Sequence, residues 1–180
     1  MGRFLVVNAK APPGGEFDMV SLDSTHLRTP IAITTGGVLA QRVSPDGRWL
    51  AYESNESGAI ELYVRAIPGL GGLHQVSSGG GNEPVWGPSG HELFFRARGR
   101  LIVATLATAP EVTVVRRDTL FVDQYAQRDR ARTPGSANYD VSPEGKHFVM
   151  VQAAGTGEPP IVVLGWLDEL RERMALAAKK

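Results

Sequence analysis

A nine-residue segment, Ser44-Pro45-Asp46-Gly47-Arg48-Trp49-Leu50-Ala51-Tyr52, recurs as Gly87-Pro88-Ser89-Gly90-His91-Glu92-Leu93-Phe94-Phe95 and as Ser142-Pro143-Glu144-Gly145-Lys146-His147-Phe148-Val149-Met150. In each copy proline suits the second position of a tight turn, a polar residue follows it, and glycine supplies a positive φ before an apolar strand. Pro and Gly persist, while the residue between them varies among Asp, Ser and Glu and the residue after them among Arg, His and Lys. That pattern predicts a structural turn, and a chain built from repeats.

Pro45, Pro88 and Pro143 lie 43 and 55 residues apart, close to the ~40–50-residue period of β-propeller blades. The segments between them fit four-stranded meanders. In the first full unit the strands are expected at Val38–Val43, Arg48–Ser54, Ile60–Ile67 and Leu73–Ser77, with Asn55–Gly58 and Pro68–Gly72 as turns. The second unit is expected at Glu83–Trp86, His91–Ala97, Arg100–Leu106 and an outer strand near Val112–Val115 or Leu120–Val122, with Arg98-Gly99 as a hairpin turn. A third unit offers three strands, Asn138–Val141, Lys146–Gln152 and Ile161–Leu164. Three more precede the repeats, at Phe4–Asn8, Phe17–Leu22 and Pro30–Thr34.

The expected organisation is therefore a partial blade over 1–37, blades over 38–78 and 79–123, a polar loop insertion over 124–137, a partial blade over 138–165 and a terminal helix over 166–180. Leu167, Leu170, Met174 and Ala177 fall on one face of that amphipathic helix, and Trp166 anchors it. The fold class is all-β, an open or partial propeller of three to four blades. Such a ring is short of strands, which predicts a homo-oligomer, missing N-terminal blades or an aggregation-prone edge.

Lysine plus arginine and aspartate plus glutamate both number 19, so no basic field favours nucleic acid or anionic membrane. The first eight residues hold too short an apolar run for an export signal, and no run approaches the ~20 residues of a membrane helix. The absence of cysteine leaves the compartment open.

The repeats resemble the WD-like β-propeller repeats of the TolB type, whose usual form is Trp-Ser-Pro-Asp-Gly followed by an apolar strand. The residues that carry the resemblance are Val43–Gly47 with Leu50–Ser54, Trp86–Gly90 with Leu93–Phe95, and Val141–Gly145 with Phe148. From about Val38 to Leu170 the chain is more specifically similar to bacterial propellers found alone or fused behind serine/threonine protein kinases. Asn55–Gly58, Pro68–Gly72, Asn138–Pro143 and Val162–Trp166 match their recurrent motifs. The chain itself shows neither a glycine-rich nucleotide loop nor a His-Arg-Asp motif.

No catalytic, cofactor-binding or metal-binding set emerges. His26, His74, His91 and His147 lack metal-ligand spacing, and no Gly-x-Ser-x-Gly elbow occurs. Asp46 and Glu144 are equivalent turn positions rather than an acid/base pair. Gly79-Gly80-Gly81 lacks the Lys-Ser/Thr of a phosphate loop and is expected to be a flexible connection. Trp49 and Trp86 are expected to pack between sheets. The candidate binding surface is one loop face carrying Asn55, Glu56, Asn82, Glu83, Arg96, Arg98, Arg132 and Asn138; an ordinary solvated rim is the alternative. The functional expectation is a non-catalytic module that binds a protein or peptide, as sensor or scaffold in a larger bacterial protein. The alternative is an accessory propeller of a kinase or of a prolyl-oligopeptidase-like serine peptidase whose catalytic domain is elsewhere.

Overall fold

The computed structural model describes residues 4–10, 15–34, 37–69, 72–129, 135–152 and 162–163. Their regular structure is all β, in four antiparallel sheets. The first sheet orders β1 (Phe4–Lys10), β2 (Gly15–Ser21) and β3 (Arg28–Thr34); the second orders β4 (Val38–Val43), β5 (Trp49–Ser54), β6 (Glu61–Ala66) and β7 (His74–Gln75). The third runs from β8 (Asn82–Trp86) through β9 (Glu92–Ala97) and β10 (Arg100–Ala107) to β11 (Thr113–Val122), and the fourth holds β12 (Tyr139–Val141), β13 (Phe148–Met150) and β14 (Val162–Val163). Every strand pairs with its sequence neighbour, as a propeller meander requires.

The three repeated turns close alike. Gly47, Gly90 and Gly145 have φ of +74°, +73° and +70°, and their N–H groups donate to the carbonyls of Ser44, Gly87 and Ser142 at 2.9, 3.0 and 2.8 Å. In two copies the side chain between Pro and Gly accepts a backbone N–H of the turn. Asp46 accepts the Arg48 N–H at 3.1 Å and Ser89 accepts the His91 N–H at 3.2 Å. The turns also lie close to one another from unit to unit. A Cβ on Gly90 would lie 3.9 Å from Pro45, and one on Gly145 would lie 3.5 Å from Pro88.

Alternation of side chains along the strands sorts the core into three layers, one between each successive pair of sheets. Phe17 and Ile31 meet Leu50, Tyr52 and Tyr63. On the other face of the second sheet Trp49, Ala51, Leu62 and Val64 meet Trp86, Leu93, Phe95 and Ala104. Val85, Phe94, Leu101 and Val103 then meet Tyr139, Phe148 and Met150, with Phe94 and Phe148 edge to face at 5.0 Å. Trp49 and Trp86 thus pack between sheets as the repeat implies.

Three details differ from expectation. The outer strand of the third sheet is one continuous element, Thr113–Val122, that spans both expected positions; its central Arg116, Arg117 and Asp118 stand on the outermost strand, where charges can reach water. Leu73–Ser77 shortens to His74–Gln75, because the Ser77 hydroxyl takes over the ladder by accepting the Leu62 N–H at 2.8 Å. Gly79 and Gly80 form a fixed nest rather than a flexible link, their N–H groups donating to Glu61 Oε1 at 2.7 and 2.8 Å while Ser77 bonds Glu61 Oε2. The expected helix over 166–180 lies outside the described residues.

Gly47→Val should destabilise the fold by at least about 1–2 kcal/mol, since a β-branched residue is forced to positive φ, whereas Asp46→Ser should stay within about 0.5 kcal/mol; urea unfolding midpoints measure both. Burial pushes the Asp46 carboxyl up, but bonds from Ser44 and Arg48 and the Arg48 charge outweigh it and hold the group below the usual carboxylate range. Its contribution is therefore complete above the unfolded-state value and fades as pH falls through the lower folded one. Asp46→Asn should flatten that acid limb of the stability profile, while leaving the limb above neutrality unchanged.

Candidate functional site

The inner strands begin with a shared irregularity. Pairing slips between Leu39 and Arg42 in β4 and between Asn82 and Val85 in β8, and the residues at the slips, Ala40 and Glu83, have φ of +44° and +54°. These β-bulges turn the chain where blades meet. At Glu83 every polar group of the strained residue is bonded. Its N–H donates to Glu53 Oε1 at 2.7 Å and its carbonyl accepts the Tyr139 hydroxyl at 2.7 Å. Its carboxylate accepts the Arg128 N–H at 2.9 Å, the Asn138 N–H at 2.7 Å and Arg96 Nη1 at 3.0 Å.

The loop after β11 completes a clasp. Arg128 reaches back 75 residues, and its Nη2 lies 2.8 and 2.7 Å from the two Glu53 oxygens. Arg96 Nη1 donates to the Ala126 carbonyl at 2.9 Å, and its Nε lies 2.6 Å from Asp123 Oδ2, an ion pair without hydrogen-bond alignment. The Arg96 guanidinium also sits 5.2 Å from the Tyr139 ring centroid. Glu53, Glu83, Arg96, Asp123 and Arg128 side chains are all at most 2 % exposed. Burial, seconded by the Glu83 and Asp123 charges and opposed by Arg96 and Arg42, drives the Tyr139 hydroxyl well above its ordinary pKa. It is a neutral donor across the working range, and the charged side chains of the network all lie below the surface.

Glu83 and Arg96, expected on a surface, therefore lie inside. Asn138 contributes its N–H to Glu83. Asn55 is exposed and accepts the Gly37 N–H at 2.7 Å, Glu56 and Asn82 are half-buried, and exposed Arg98 donates to the Gly79 carbonyl at 2.9 Å. Arg132 lies outside the described residues. Sequence reasoning misses Glu53, Asp123, Arg128 and Tyr139 as members of this network. One signal is present in the repeat itself: Glu53 and Arg96 each stand six residues after the turn glycine of their copy, Gly47 or Gly90, where a charge within an apolar strand needs a partner.

Among the described residues, two cavities open near these strands. One of about 270 Å³ is lined by Arg42, Val85, Asn138, Tyr139, Asp140 and Val149, among others. Arg42, Val85 and Asp140 each stand two residues before the first residue of their repeated turn, so three successive inner strands deliver equivalent positions to one cleft. Arg42 is steadied by donating to the Gly135 carbonyl at 2.9 Å, and its own carbonyl accepts Trp86 Nε1 at 3.0 Å. Val149 is 49 % exposed. The second cavity, about 170 Å³, lies at the end of β4 and β5. Among the described residues no cluster of histidine and carboxylates is disposed to hold a metal.

Removing the clasp should be costly. Arg128→Ala leaves Glu53 buried without its cation and is expected to destabilise by about 3–5 kcal/mol, whereas the paired change Glu53→Leu with Arg128→Leu should recover most of that loss; chemical denaturation distinguishes the two.

No family model matches the chain, and no curated protein does. Solved structures do. A protein assigned as TolB from Agrobacterium tumefaciens superposes with a TM-score of 0.59 at 17% identity, over 82% of this chain and 49% of that one. TolB from Acinetobacter baumannii gives 0.52 at 15% identity, over 89% of this chain and 51% of its own. The chain spans about half the length of these structures. Four meander sheets, turns repeated in register and these superpositions give one result: the chain has the β-propeller fold of the TolB type.

Proposed function

We propose that the chain is a non-catalytic propeller module that binds a protein or peptide partner through the inner-strand cleft, as the sensor or scaffold part of a larger bacterial protein. The observation that carries this reading is the convergence of Arg42, Val85 and Asp140 from equivalent repeat positions onto one cleft. A cation and an anion flank an apolar floor, and Val149 adds exposed apolar surface. An extended segment with an apolar side chain between an acidic and a basic group complements that arrangement. The buried charges support the same view from the opposite side. Glu53, Glu83, Arg96 and Arg128 are buried against one another, so recognition falls to the cleft and to the remaining candidates Asn55, Glu56, Asn82, Arg98, Arg132 and Asn138. The motif resemblance to kinase-fused propellers supports a second reading, an accessory propeller of an enzyme.

Peptides selected by display against the immobilised chain should carry this charge pattern, and Asp140→Arg should weaken their binding at least tenfold without lowering the melting temperature. Failure to enrich any peptide, or unchanged affinity in Asp140→Arg, would overturn the assignment.

A further inference from the structure

β11 is the longest described strand, ten residues from Thr113 to Val122, and it ends the third sheet. One edge pairs with β10, and no described strand pairs with the other. Val115 and Val122 on this strand are each 63 % exposed. We propose that a second copy of this chain pairs with that edge, β11 against β11 in antiparallel register about Arg117, joining two four-stranded sheets into one of eight strands. The inference does not use the cleft and stands apart from the reading of the chain as a peptide-binding module.

A bare edge offers backbone N–H and C=O groups to any extended chain, so the side chains decide the occupant. The pairing with β10 slips at Leu101/Ile102 and at Thr105/Leu106, and between the slips Arg116–Thr119 runs in unbroken register with Ile102–Thr105. That segment is regular enough to accept a further strand. Its two faces differ. Asp118 lies opposite Val103, on the face turned to the fourth sheet, and Arg116 shares that face; Arg117 lies opposite Ala104, on the face turned to the second. Arg116 Nε is 3.0 Å from Asp118 Oδ2 and 3.4 Å from the Thr105 hydroxyl, and the Arg116 side chain is 62 % exposed.

Strands related by a two-fold axis normal to the sheet keep their faces, so residues directly opposite each other come from the same face. An axis through Arg117 sets Arg116 opposite the partner's Asp118 and Asp118 opposite the partner's Arg116. The charges then alternate in sign around the axis, a favourable cross-strand arrangement. Moving the axis by one residue opposes Arg116 to Arg116 or Asp118 to Asp118, so the charges select one register. Arg117 sits on the axis but on the other face, and it is turned onto its own chain, its Nε donating to the Val76 carbonyl at 2.6 Å. The corresponding outer strand of the second sheet, β7, has only two residues, too few to template such a pairing.

Analytical ultracentrifugation of the full chain tests the interface. The wild type should show a reversible monomer–dimer equilibrium that weakens with added salt. Asp118→Arg, which sets arginine opposite arginine twice, should raise the dimer dissociation constant at least about tenfold, with the β fold retained by circular dichroism. Adding Arg116→Asp to Asp118→Arg in the same chain exchanges the two signs and should restore dimerisation to near the wild-type level. Arg116→Asp alone should be monomeric, and mixing it with the Asp118→Arg variant should give a heterodimer. A wild type that stays monomeric at its highest soluble concentration, an Asp118→Arg variant that dimerises as well as the wild type, or a double variant that does not recover would each overturn the pairing.

Discussion

Glu83 is held at a positive φ that a non-glycine residue reaches only at a cost of about 1–3 kcal/mol, and the bonds that hold it there join three sheets. Its neighbours come from β5, from β9, from the loop after β11 and from the start of β12. Each blade alone is a small meander with one or two apolar faces to hide. Apolar layers drive the sheets together without direction, whereas Arg128 Nη2, shared between both Glu53 oxygens, and the Tyr139 hydroxyl specify which residue faces which. Three acids and two arginines share this interior, an arrangement that adds little net stability over apolar packing yet penalises any slip of one sheet against the next. The adjacent sheets carry a lighter version of the same bridge, Arg117 Nε donating to the Val76 carbonyl at 2.6 Å.

Much of the fold is legible in the sequence because its determinants are local. The needs of Pro45, Gly47 and their copies are settled within four residues, and the period-two alternation of β5, β6, β9 and β10 assigns faces without knowledge of the partner sheet. What escapes is what depends on distant chain. Arg128 and Glu53 are separated by 75 positions, and nothing near either names the other. Glu83 and Arg96 read as surface in the sequence because charged residues usually are. The glycine triplet reads as slack because its partner, the Glu61 carboxylate, arrives from a different strand. Of the candidate surface, Asn55 and Asn138 line cavities, and loop composition alone does not separate them from Glu83 and Arg96.

The ionic residues of the inner strands divide by whether their charges are closed. Those at the bulged ends pair among themselves below the surface, and those two residues before each turn, Arg42 and Asp140, face a cleft. A repeat architecture makes this division economical: one strand position serves assembly in two of the copies, as Glu53 and Arg96, and another is left free to differ in sign from copy to copy. Cation, valine and anion at successive copies turn a structural repeat into an asymmetric recognition surface.

Successive turns come within about a methyl group of one another, Gly90 beside Pro45 and Gly145 beside Pro88, so blade spacing follows from how the turns stack and not from the length of chain between them. The intervening loops are thereby released from any duty as spacers. One unit could grow longer than its neighbour without altering the pitch of the stack, and the surplus residues were free to be drawn inward. The loop that carries Arg128 is that surplus, an insertion tolerated by the geometry of the turns and then made indispensable by the charges it found beneath it.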